Sequence, residues 1–460
     1  MKEKLNKKKN FSRVLIANRG EIAVRIIRAC QELGLETIAA VSEADKESLP
    51  ARRADRAICI GPPQPIKSYL QVDTIISAAL GTGAEAIHPG YGFLAEQPEL
   101  AEACDRYGLV FIGPRPEQIR KMGDKIWARK IARDLGVPII PGSEQVQKAE
   151  EAGEVAHKLG YPILIKAAAG GGGRGMKVVR NASDLKFFLS EAGAEAHAAF
   201  GDNRLYMEKY VANARHIEVQ IMGDQQGNIV HLFERDCSLQ RRHQKMVEEA
   251  PCPILTPELR QEICGAALSI ARNIKYLNAG TIEFIWDQDQ EIFYFLEMNT
   301  RIQVEHPVTE MITGVDLVRE QIRVAGGEEL SFRQDEIRTE GHAIECRINA
   351  ESPGSGFLPC PGQIREWRPP DGPNLRVDTH CYPGYSVPPY YDSLLAKIIS
   401  KGGNRLEAIE TMQRALANFH VGGVDTTIPF YQSLLKKSEY RAGAIHTGWI
   451  ENNLISSKDA

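Results

Sequence analysis

The stretch GTIEFIWDQDQEIFYFLEMN, Gly280–Asn299, holds the strongest local signal in this chain. It contains two runs rich in aromatic and aliphatic residues, Thr281–Trp286 and Ile292–Met298, and such runs predict strands. The polar residues Asp287–Glu291 lie between them as a short loop. The stretch therefore predicts a β-hairpin within a strand-rich second half of the chain.

Two acidic residues lie on the predicted hairpin, one on each strand. A five-residue loop gives a register that places Glu283 and Glu297 on the same face, as cross-strand or diagonal neighbours about 5–8 Å apart. Asn299 shares that face because side chains alternate along a strand. Acidic and amide groups among aromatic residues are costly to bury without compensation. Mg²⁺ or Mn²⁺ bridging nucleotide phosphates is the natural compensation, and a solvated polar strand face is the alternative.

Polar residues continue on alternate positions beyond the hairpin, at Arg301, Gln303 and Glu305. A straight strand rises about 3.3 Å per residue and would separate Glu297 from Glu305 by about 26 Å. Either the chain curls here, or the two ends serve different parts of an extended site. The second arrangement suits an enzyme that binds a nucleotide at one end and a small acceptor at the other.

The N-terminal region alternates strand and helix signals. Arg13–Ala17 predicts a strand, apolar residues at helical spacing within 22–33 predict a helix, and Glu36–Val41 predicts the next strand. The alternation continues to a strand at Leu109–Ile112. This pattern predicts a parallel sheet covered by helices. A helical connector, a compact unit and a larger α+β region are then expected to follow.

A glycine-rich loop, GGGGRGM at Gly170–Met176, follows a predicted strand at Tyr161–Ala167. A dinucleotide fingerprint needs a helix after the glycines, but Met176–Arg180 is β-prone, so the loop joins two strands. No Gly-Lys-Ser/Thr follows, which excludes a P-loop. Glycines let backbone N–H groups approach an anion, so this hairpin is a candidate phosphate cover, with Lys125 and Lys166 as candidate cations. A flexible surface hairpin is the alternative.

Length and composition limit the class of protein. With 460 residues the chain is expected to form about three domains. A net charge of −4 argues against a general nucleic-acid binder, and no apolar run approaches the roughly 18–20 residues that cross a membrane. Nine cysteines without a C-x-x-C pair favour reduced thiols and a cytoplasmic location. The lysine-rich start has no apolar run of signal-peptide length after it, which predicts a disordered basic tail.

Two further segments are polar, and composition favours solvent exposure for both. His216–Gln220 alternates polar and aliphatic residues, which usually describes a strand with one side in water. The run Gln240–Lys245 concentrates cations beside Glu248 and Glu249. A solvated charge run is the usual explanation for such a composition.

Six motifs are informative when they are taken together. They are ANRGEIA (Ala17–Ala23), HPGYGFLAE (His88–Glu96), the GGGGRGM loop, ERDCSLQRRHQK (Glu234–Lys245), EMNTRIQVEHPVTE (Glu297–Glu310) and ECRINAE (Glu345–Glu351). From about Arg13 to the end, the chain resembles the biotin carboxylase family of the ATP-grasp superfamily. QRRHQK together with EMNTRIQVEHPVTE is highly specific for that family, whereas the glycine loop alone is not.

The resemblance implies a chain of mixed α/β and α+β class. Its parts would be a disordered basic tail (1–11), an N-terminal Rossmann-like domain with a parallel sheet (12–112), a helical connector (113–139), a mobile ATP-grasp lid (140–210) and a C-terminal mixed α+β catalytic domain (211–460). Within the last part, the ATP-grasp core would extend to about residue 330, and the biotin carboxylase C-terminal region would cover about 340–450. ATP is expected between lid and body.

The same resemblance implies a role for each site residue. The ATP phosphates are expected at Lys125, Lys166, Gly172 and Gly173, the adenine at Glu208, Lys209 and Val211, and further nucleotide contacts at His216, Gln240 and His243. Glu283, Glu297 and Asn299 are the expected metal ligands, and the two glutamates are also counted as ATP contacts. Bicarbonate is expected at Lys245, Arg301, Gln303 and Val304, and biotin at Arg347, with Tyr91 as a further candidate.

The implied reaction is carboxylation of biotin, with ATP and two Mg²⁺ or Mn²⁺ ions as cofactors. Glu305 would deprotonate bicarbonate, which attacks the γ-phosphate to give carboxyphosphate. That intermediate releases carbon dioxide beside biotin, phosphate or a group acting through it removes the ureido proton, and Arg347 stabilises the enolate. The expected catalytic residues are therefore Lys245, Arg301, Glu305 and Arg347.

The resemblance also implies partners. Carriers of this family attach biotin to a lysine between two methionines, and no Met-Lys-Met occurs here. The chain also leaves no room for a carboxyltransferase domain, so we expect a subunit of an acyl-CoA or pyruvate carboxylase. It would work with a biotin carboxyl carrier protein and a carboxyltransferase, commonly as a homodimer. The alternatives are another ATP-grasp carboxylate ligase and a non-catalytic nucleotide-sensing subunit, which would lack metal or bicarbonate residues.

Overall fold

The computed structural model describes residues 11–146, 149–169 and 175–454. The predicted basic tail, apart from Phe11, and the loop residues 170–174 lie outside these ranges. Within them, no helix is both long enough and apolar enough to cross a membrane. The described residues form three large sheets of five, four and eight strands, in chain order.

The first sheet contains β1 (Arg13–Ile16), β2 (Glu36–Val41), β3 (Arg56–Cys59), β4 (Ala86–His88) and β5 (Val110–Phe111). The helices between them are α1 (Gly20–Glu32), α2 (Leu49–Arg53), α3 (Val72–Thr82) and α4 (Pro98–Tyr107). The strand order is β3-β2-β1-β4-β5, and all neighbours are parallel, which confirms the predicted sheet. Val14 and Ile16 pack with α1 on one face, while Leu15 packs with α3 on the other.

The loops that follow β1 and β4 meet at the carboxyl edge of this sheet. Asn18 Nδ2 donates hydrogen bonds to the carbonyl oxygens of Pro89 and Tyr91, each at 2.7 Å. Parallel strands bring such loops together because their carboxyl ends share one edge. This contact places the ANRGEIA and HPGYGFLAE motifs side by side.

Two helices, α5 (Pro116–Gly123) and α6 (Lys125–Asp134), lie within the segment expected to be a connector. The second sheet contains β6 (Gly142–Val146), β7 (Ile163–Ala167), β8 (Lys177–Val179) and β9 (Leu205–Lys209), with α7 (Ala149–Leu159) and α8 (Leu185–Phe200). Its order is β6-β9-β7-β8, and it has a hydrophobic core of its own. Antiparallel pairing of β7 with β8 confirms the predicted hairpin, whose glycines Gly172 and Gly173 lie outside the described residues.

The third sheet begins with β10 (Ala214–Gly223), β11 (Ile229–Arg241), β12 (Gln244–Ala250), β13 (Asn278–Asp287), β14 (Ile292–Asn299) and β15 (His342–Asn349). The chain continues with β16 (Glu351–Ser352), β17 (Leu358–Pro359), β18 (Gly362–Gln363), β19 (Glu366–Arg368), β20 (Leu375–Thr379), β21 (Ser386–Val387), β22 (Leu394–Gly402) and β23 (His420–Gly422). Of these strands, β20 and β22 belong to the third sheet, and the others form two-stranded sheets as the pairs β16-β17, β18-β21 and β19-β23. The order in the sheet is β14-β13-β10-β11-β12-β15-β22-β20, and all neighbours are antiparallel.

Among the described residues, seven helices accompany the third sheet. They are α9 (Pro257–Asn273), α10 (His306–Thr313), α11 (Leu317–Ala325), α12 (Arg405–Ala417), α13 (Ile428–Leu434), α14 (Ser438–Arg441) and α15 (Trp449–Asn453). Residues of α9 and of the central strands share one apolar core, and residues of α12 share another with β15 and β22. The observed mixture of parallel and antiparallel sheets with helices agrees with the predicted fold class.

The polar side of β10 is buried, not solvated. Ile217 packs in the apolar core with α9, so Glu218 and Gln220 face the opposite side of the sheet. On that side Arg235 of β11 donates to Glu218 and, at 3.0 Å, to Thr309 of α10. Glu218 and Gln220 are 0% exposed, so the expectation of a strand with one side in water is wrong.

Candidate active site

Glu283 and Glu297 lie directly opposite each other on β13 and β14, which confirms the predicted pairing. The pairing was predicted from a five-residue loop, and that loop length is wrong. Asp287 pairs with Ile292, so only Gln288–Glu291 remains as the loop. A β-bulge beside Glu283 shifts the register and brings the two carboxylates into one cross-strand pair. The acidic pair is therefore produced by a bulge as well as by the turn.

The chain does not continue as a straight strand beyond Asn299. Strand β14 ends there, and Glu305 occupies the N-cap position of α10. Lys245 Nζ lies 2.9 Å from Glu283 Oε1 and 2.7 Å from Glu305 Oε1. The chain therefore curls, and the expectation of an extended site with widely separated ends is wrong.

Lys245, on β12, contacts four side-chain oxygens. Its Nζ lies 2.5 Å from Glu218 Oε2, and it donates a hydrogen bond to Gln303 Oε1 at 3.1 Å, in addition to its contacts with Glu283 and Glu305. Burial lowers the pKa of Lys245, but the three carboxylates outweigh it and raise that pKa well above its usual value. An ammonium group that stays charged is suited to bind an anionic substrate.

Arg347, on β15, binds the same glutamate as Lys245. Its Nη2 donates to Glu305 Oε2 at 2.9 Å, and its Nε donates to Glu248 Oε1 at 2.7 Å. Burial raises the pKa of Glu305, but Lys245 and Arg347 outweigh burial and hold that pKa well below its usual range. Glu305 is therefore an ionised carboxylate held between two cations.

Arg301 and Gln303 approach the cluster from the segment after β14. Arg301 Nε donates to Glu96 Oε2 at 2.7 Å, and its Nη2 donates to Asn299 Oδ1 at 3.0 Å. Gln303 Nε2 donates to Glu283 Oε1 at 2.9 Å. Sequence reasoning gave Glu96 no role, although it ends the HPGYGFLAE motif. Its contact with Arg301 joins the first sheet to the site.

Two of the three predicted nucleotide contacts on the third sheet lie together. His216 Nε2 is 2.9 Å from Glu283 Oε2, and its Nδ1 is 2.8 Å from Gln240 Nε2. His243 lies in the turn between β11 and β12, where its φ is 62°, and its side chain is exposed. The structure therefore brings His216 and Gln240 to the acidic pair and leaves His243 at the exposed turn.

Lys125 and Lys166 face the site from the connector and from the second sheet. Lys125 Nζ lies 2.5 Å from Glu297 Oε2. Lys166 Nζ lies 2.6 Å from Glu208 Oε2, and Glu208 also pairs with Arg129 of α6. Burial lowers the pKa of Lys125, but Glu297 outweighs burial and raises it. Each of the two lysines predicted to bind the ATP phosphates is thus paired with a carboxylate.

The predicted adenine contacts follow one another at the end of β9. The Glu208 side chain is buried and faces Lys166, while Lys209 Nζ donates to the Gly160 carbonyl oxygen at 2.9 Å. Val211, in the loop before β10, is half-buried. Because both charged side chains are already bound to other groups of the protein, we expect an adenine to contact the backbone of this segment.

Tyr91 and Val304 are connected through two buried charged residues. The Tyr91 hydroxyl donates to Glu21 Oε1, and that oxygen lies 3.0 Å from Lys397 Nζ. Lys397 Nζ donates to the Val304 carbonyl oxygen at 2.8 Å. Sequence reasoning missed Glu21 and Lys397, and the signal that could have pointed to Glu21 is its place in the ANRGEIA motif.

The acidic pair fits a divalent metal ion. Glu283, Glu297 and Asn299 offer carboxylate and amide oxygens, which are the ligands that Mg²⁺ prefers. Each carboxylate also has an ammonium neighbour, because Lys245 contacts Glu283 and Lys125 contacts Glu297. This position stabilises positive charge, so the residues present match the predicted Mg²⁺ or Mn²⁺.

The charge run around Lys245 is solvated only at its turn, where Arg242, His243 and Gln244 are exposed, so the interpretation is wrong for the two glutamates beside it. Glu248 is 0% exposed and Glu249 is 3% exposed. Glu249 lies 2.7 Å from His342 Nε2 and accepts a hydrogen bond from Arg405 Nε at 2.6 Å. Adjacent residues of a strand face opposite sides of a sheet, so the two glutamates meet different partners. Composition cannot distinguish such paired, buried charges from a solvated run.

Three family models match the chain in sequence: "Biotin carboxylase, N-terminal domain" at residues 10–119, "Carbamoyl-phosphate synthase L chain, ATP binding domain" at 124–333, and "Biotin carboxylase C-terminal domain" at 345–452. A pyruvate carboxylase subunit of Methanothermobacter thermautotrophicus is 53% identical over 442 residues, which cover 96% of this chain and 90% of that protein. Biotin carboxylase 1 of Bacillus subtilis is 52% identical over 442 residues, which cover 96% of this chain and 98% of that protein.

Solved structures show the same architecture. The biotin carboxylase domain dimer of Hydrogenobacter thermophilus 2-oxoglutarate carboxylase, in complex with MgADP, ADP and bicarbonate, superposes with a TM-score of 0.93 at 47% identity, covering 96% of this chain and 97% of that one. The biotin carboxylase of Campylobacter jejuni superposes with a TM-score of 0.95 at 45% identity, covering 97% of this chain and 99% of that one.

The fold and the paired carboxylates define an ATP-dependent ligase of the ATP-grasp superfamily. The chain belongs to the biotin carboxylase family, and its reaction is the ATP- and bicarbonate-dependent carboxylation of biotin. The 52% identity to biotin carboxylase 1, over 96% of this chain, favours a catalytic subunit over another ATP-grasp carboxylate ligase or a non-catalytic nucleotide-sensing subunit.

Proposed function

We propose that this chain carboxylates biotin on a separate carrier protein, and that Lys245, Glu305 and Arg347 carry the chemistry. The observation that supports this most directly is the position of Glu305. It accepts hydrogen bonds from Lys245 at 2.7 Å and from Arg347 at 2.9 Å. A base therefore lies between a cation suited to bind bicarbonate and a guanidinium suited to stabilise an oxyanion.

The nucleotide is proposed to bind between the second and third sheets, with residues 140–210 acting as a lid. The other proposed parts of the chain are the N-terminal domain (12–112), the helical connector (113–139) and the C-terminal catalytic domain (211–460). Residues for the phosphates are Lys125, Lys166, Gly172 and Gly173, and those for the base and the rest of the nucleotide are Glu208, Lys209, Val211, His216, Gln240 and His243. Mg²⁺ held by Glu283, Glu297 and Asn299 would neutralise phosphate charge.

Bicarbonate is proposed to bind where Lys245, Arg301, Gln303 and the backbone of Val304 converge. Glu305 takes its proton, and a carbonate oxygen attacks the γ-phosphorus of ATP. The bond between that phosphorus and the bridging oxygen breaks, which gives carboxyphosphate and ADP. Because the protein forms no covalent bond in this step, its contribution is positioning and charge neutralisation.

Biotin is proposed to bind beside Arg347, with Tyr91 nearby. Carboxyphosphate decomposes to carbon dioxide and phosphate, and phosphate takes the proton from the ureido nitrogen. The nitrogen then attacks carbon dioxide to form carboxybiotin. Arg347 stabilises the negative charge on the ureido oxygen, because its guanidinium remains charged and presents several donors.

The proposed partners are a biotin carboxyl carrier protein and a carboxyltransferase subunit. One relative is named as a subunit of pyruvate carboxylase, which supports a role as one component of a larger enzyme. A homodimer is proposed because the related Hydrogenobacter domain is described as a dimer. All nine cysteines are free thiols, which supports a cytoplasmic location.

A phosphate-release assay tests the proposal. The purified chain is incubated with ATP, MgCl₂ and free biotin, with and without bicarbonate, and incorporation of labelled bicarbonate into biotin is measured in parallel. We expect phosphate release to require bicarbonate and to increase with biotin, and label to appear in carboxybiotin. Phosphate release that is indifferent to bicarbonate would overturn the assignment.

A further inference from the structure

Lys397 is a buried lysine to which the proposed reaction gives no role. It lies on β22, opposite Arg347 of β15 and Asp378 of β20, and it is 0% exposed. Its Nζ donates to the Val304 carbonyl oxygen at 2.8 Å and lies 3.0 Å from Glu21 Oε1. An ammonium at this depth is costly without partners, so these two contacts fix its position.

Glu21 completes the connection on the opposite side. It lies in the first turn of α1, within the ANRGEIA motif, and it is 2% exposed. The Tyr91 hydroxyl donates to Glu21 Oε1, which is the same oxygen that Lys397 approaches. Burial raises the pKa of Tyr91 well above its usual value, and Glu21 raises it further, so the phenol remains the donor.

The other carboxyl groups near Lys397 do not take the place of Glu21. Asp378 accepts hydrogen bonds from Arg376 on both of its oxygens, at 2.8 Å and 2.6 Å. Glu345 is buried, and neither of its oxygens has a hydrogen-bond partner in the described ranges. Among the described residues, Glu21 is the carboxylate within ion-pair distance of Lys397.

We propose that Lys397 and Glu21 are positioning residues that hold the bicarbonate and biotin contacts in a fixed relation. The inference rests on the proposed function, in which Val304 contacts bicarbonate and Tyr91 contacts biotin. Val304 directly precedes Glu305, so a hydrogen bond to the Val304 carbonyl also fixes the start of α10, where the base lies. The two buried charges connect the two substrate contacts through three consecutive polar contacts.

A structural ion pair and a positioning pair have different kinetic consequences. Loss of a purely structural pair lowers stability and the fraction of active molecules, which reduces apparent kcat and leaves KM unchanged. Loss of a positioning pair displaces groups that bind substrate, which raises the KM of the substrate concerned. The KM values for bicarbonate and biotin therefore separate the two roles.

Two variants test the proposal in the full chain. Lys397→Met keeps the length of the side chain and removes its cation, and we expect the KM for bicarbonate to rise about tenfold, the effect of losing one charge-assisted hydrogen bond. Glu21→Gln keeps an acceptor for Tyr91 and removes the charge, and we expect the KM for free biotin to rise about threefold to tenfold. In both variants the KM for ATP should stay within about twofold of wild type.

Arg405→Met is the matched control. Arg405 pairs with Glu249 at 2.6 Å on the opposite face of the same sheet, so its loss also removes a partly buried cation. We expect a lower melting temperature with unchanged KM values for bicarbonate and biotin.

Unchanged KM values in Lys397→Met and Glu21→Gln, beside an active wild type, would overturn this inference and leave the proposed function intact. A wild type without bicarbonate-dependent phosphate release would overturn both. If Lys397→Met does not fold, the KM of Glu21→Gln for biotin decides between the two roles: a raised KM supports positioning, and an unchanged KM overturns it.

Discussion

Lys245 Nζ lies 2.7 Å from Glu305 Oε1, so the proposed anion-binding cation and the proposed base are in direct contact. Burial raises the pKa of Glu305, but its two cationic neighbours, Lys245 and Arg347, hold that pKa well below its usual range. A bicarbonate ion that binds Lys245 would compete with Glu305 for the same cation. Such competition makes the carboxylate more basic when the substrate is present.

Glu305→Gln should remove the base while keeping the size of the side chain. We expect kcat for bicarbonate-dependent ATP hydrolysis to fall about 100-fold or more, because general-base catalysis contributes about 10²–10⁴-fold. Phosphate release at saturating substrates measures this effect. ATP affinity, measured by calorimetry, should stay within about threefold of wild type. A comparable loss of ATP affinity would instead indicate a role of Glu305 in nucleotide binding.

Glu297→Gln should weaken binding of the metal–nucleotide complex. Gln offers one neutral oxygen in place of a carboxylate, and it also leaves Lys125, now 2.5 Å from Glu297, without its counterion. We expect the KM for MgATP to rise about tenfold or more, with a higher Mg²⁺ requirement. Steady-state rates at varied MgATP and at varied free Mg²⁺ measure both effects.

Arg347→Ala should chiefly slow carboxyl transfer to biotin. Arg347 contacts Glu248 and Glu305, and it makes no contact with Glu283 or Glu297 among the described residues. We expect carboxybiotin formation to fall about 100-fold, as for removal of one oxyanion-stabilising donor, with the KM for MgATP within about threefold of wild type. An equal loss of ATP affinity in Arg347→Ala and Glu297→Gln would contradict this division of roles.

The sequence predicted those parts of the fold that local patterns specify. Alternating strand and helix signals gave the parallel first sheet, and two aromatic runs gave the β13–β14 hairpin with Glu283 opposite Glu297. Pairings between distant strands could not be predicted. β12 pairs with β15, and β15 pairs with β22, across long separations in the chain. No local pattern encodes which distant strand becomes a neighbour.

The same limit applies to the site. The resemblance to the family predicted Lys245 and Arg347 as separate site residues. Only the structure, in which β12 pairs with β15, shows that both bind Glu305. The prediction that Glu218 and Glu248 are solvated is wrong, because polar alternation and charge runs have the same composition whether water or opposite charges surround them. Burial of a charge depends on partners from other strands, and those partners are absent from the local sequence.

Glu248→Gln should change how stability depends on pH. Burial raises the pKa of Glu248 to about 7, although Arg347 partly offsets this, while an unfolded glutamate has a pKa of about 4.3. Between these values the folded state holds a proton that the unfolded state releases. The resulting stability is fully present below the unfolded pKa and is lost as pH rises through about 7. Gln mimics the neutral form, so the variant should gain about 3 kcal/mol relative to wild type between about pH 5 and pH 8.

Thermal melting of both proteins across this pH range measures the change, and Glu249→Gln is the control. Burial raises the pKa of Glu249, but contacts with His342 and Arg405 outweigh burial and lower it to about 2. A lowered pKa contributes stability that is present above the unfolded pKa and is lost as pH falls, so this contribution is constant between about pH 5 and pH 8. A pH-independent difference between Glu248→Gln and wild type would contradict the prediction.

Glu208→Gln should loosen the second sheet from the connector, because Glu208 of β9 pairs with Arg129 of α6 and with Lys166, and all three side chains are buried. Breaking a buried charge pair costs about 3 kcal/mol or more, so amide hydrogen exchange in β9 should become about 100-fold faster.

Glu144→Gln is the matched comparison, since Glu144 of β6 pairs with Arg133 of the same helix, α6, at 3.1 Å but is exposed. An exposed pair contributes about 0–1 kcal/mol, so its loss should change exchange about fivefold at most. Equal exchange rates in the two variants, measured by mass spectrometry, would show that the buried pair does not hold the lid.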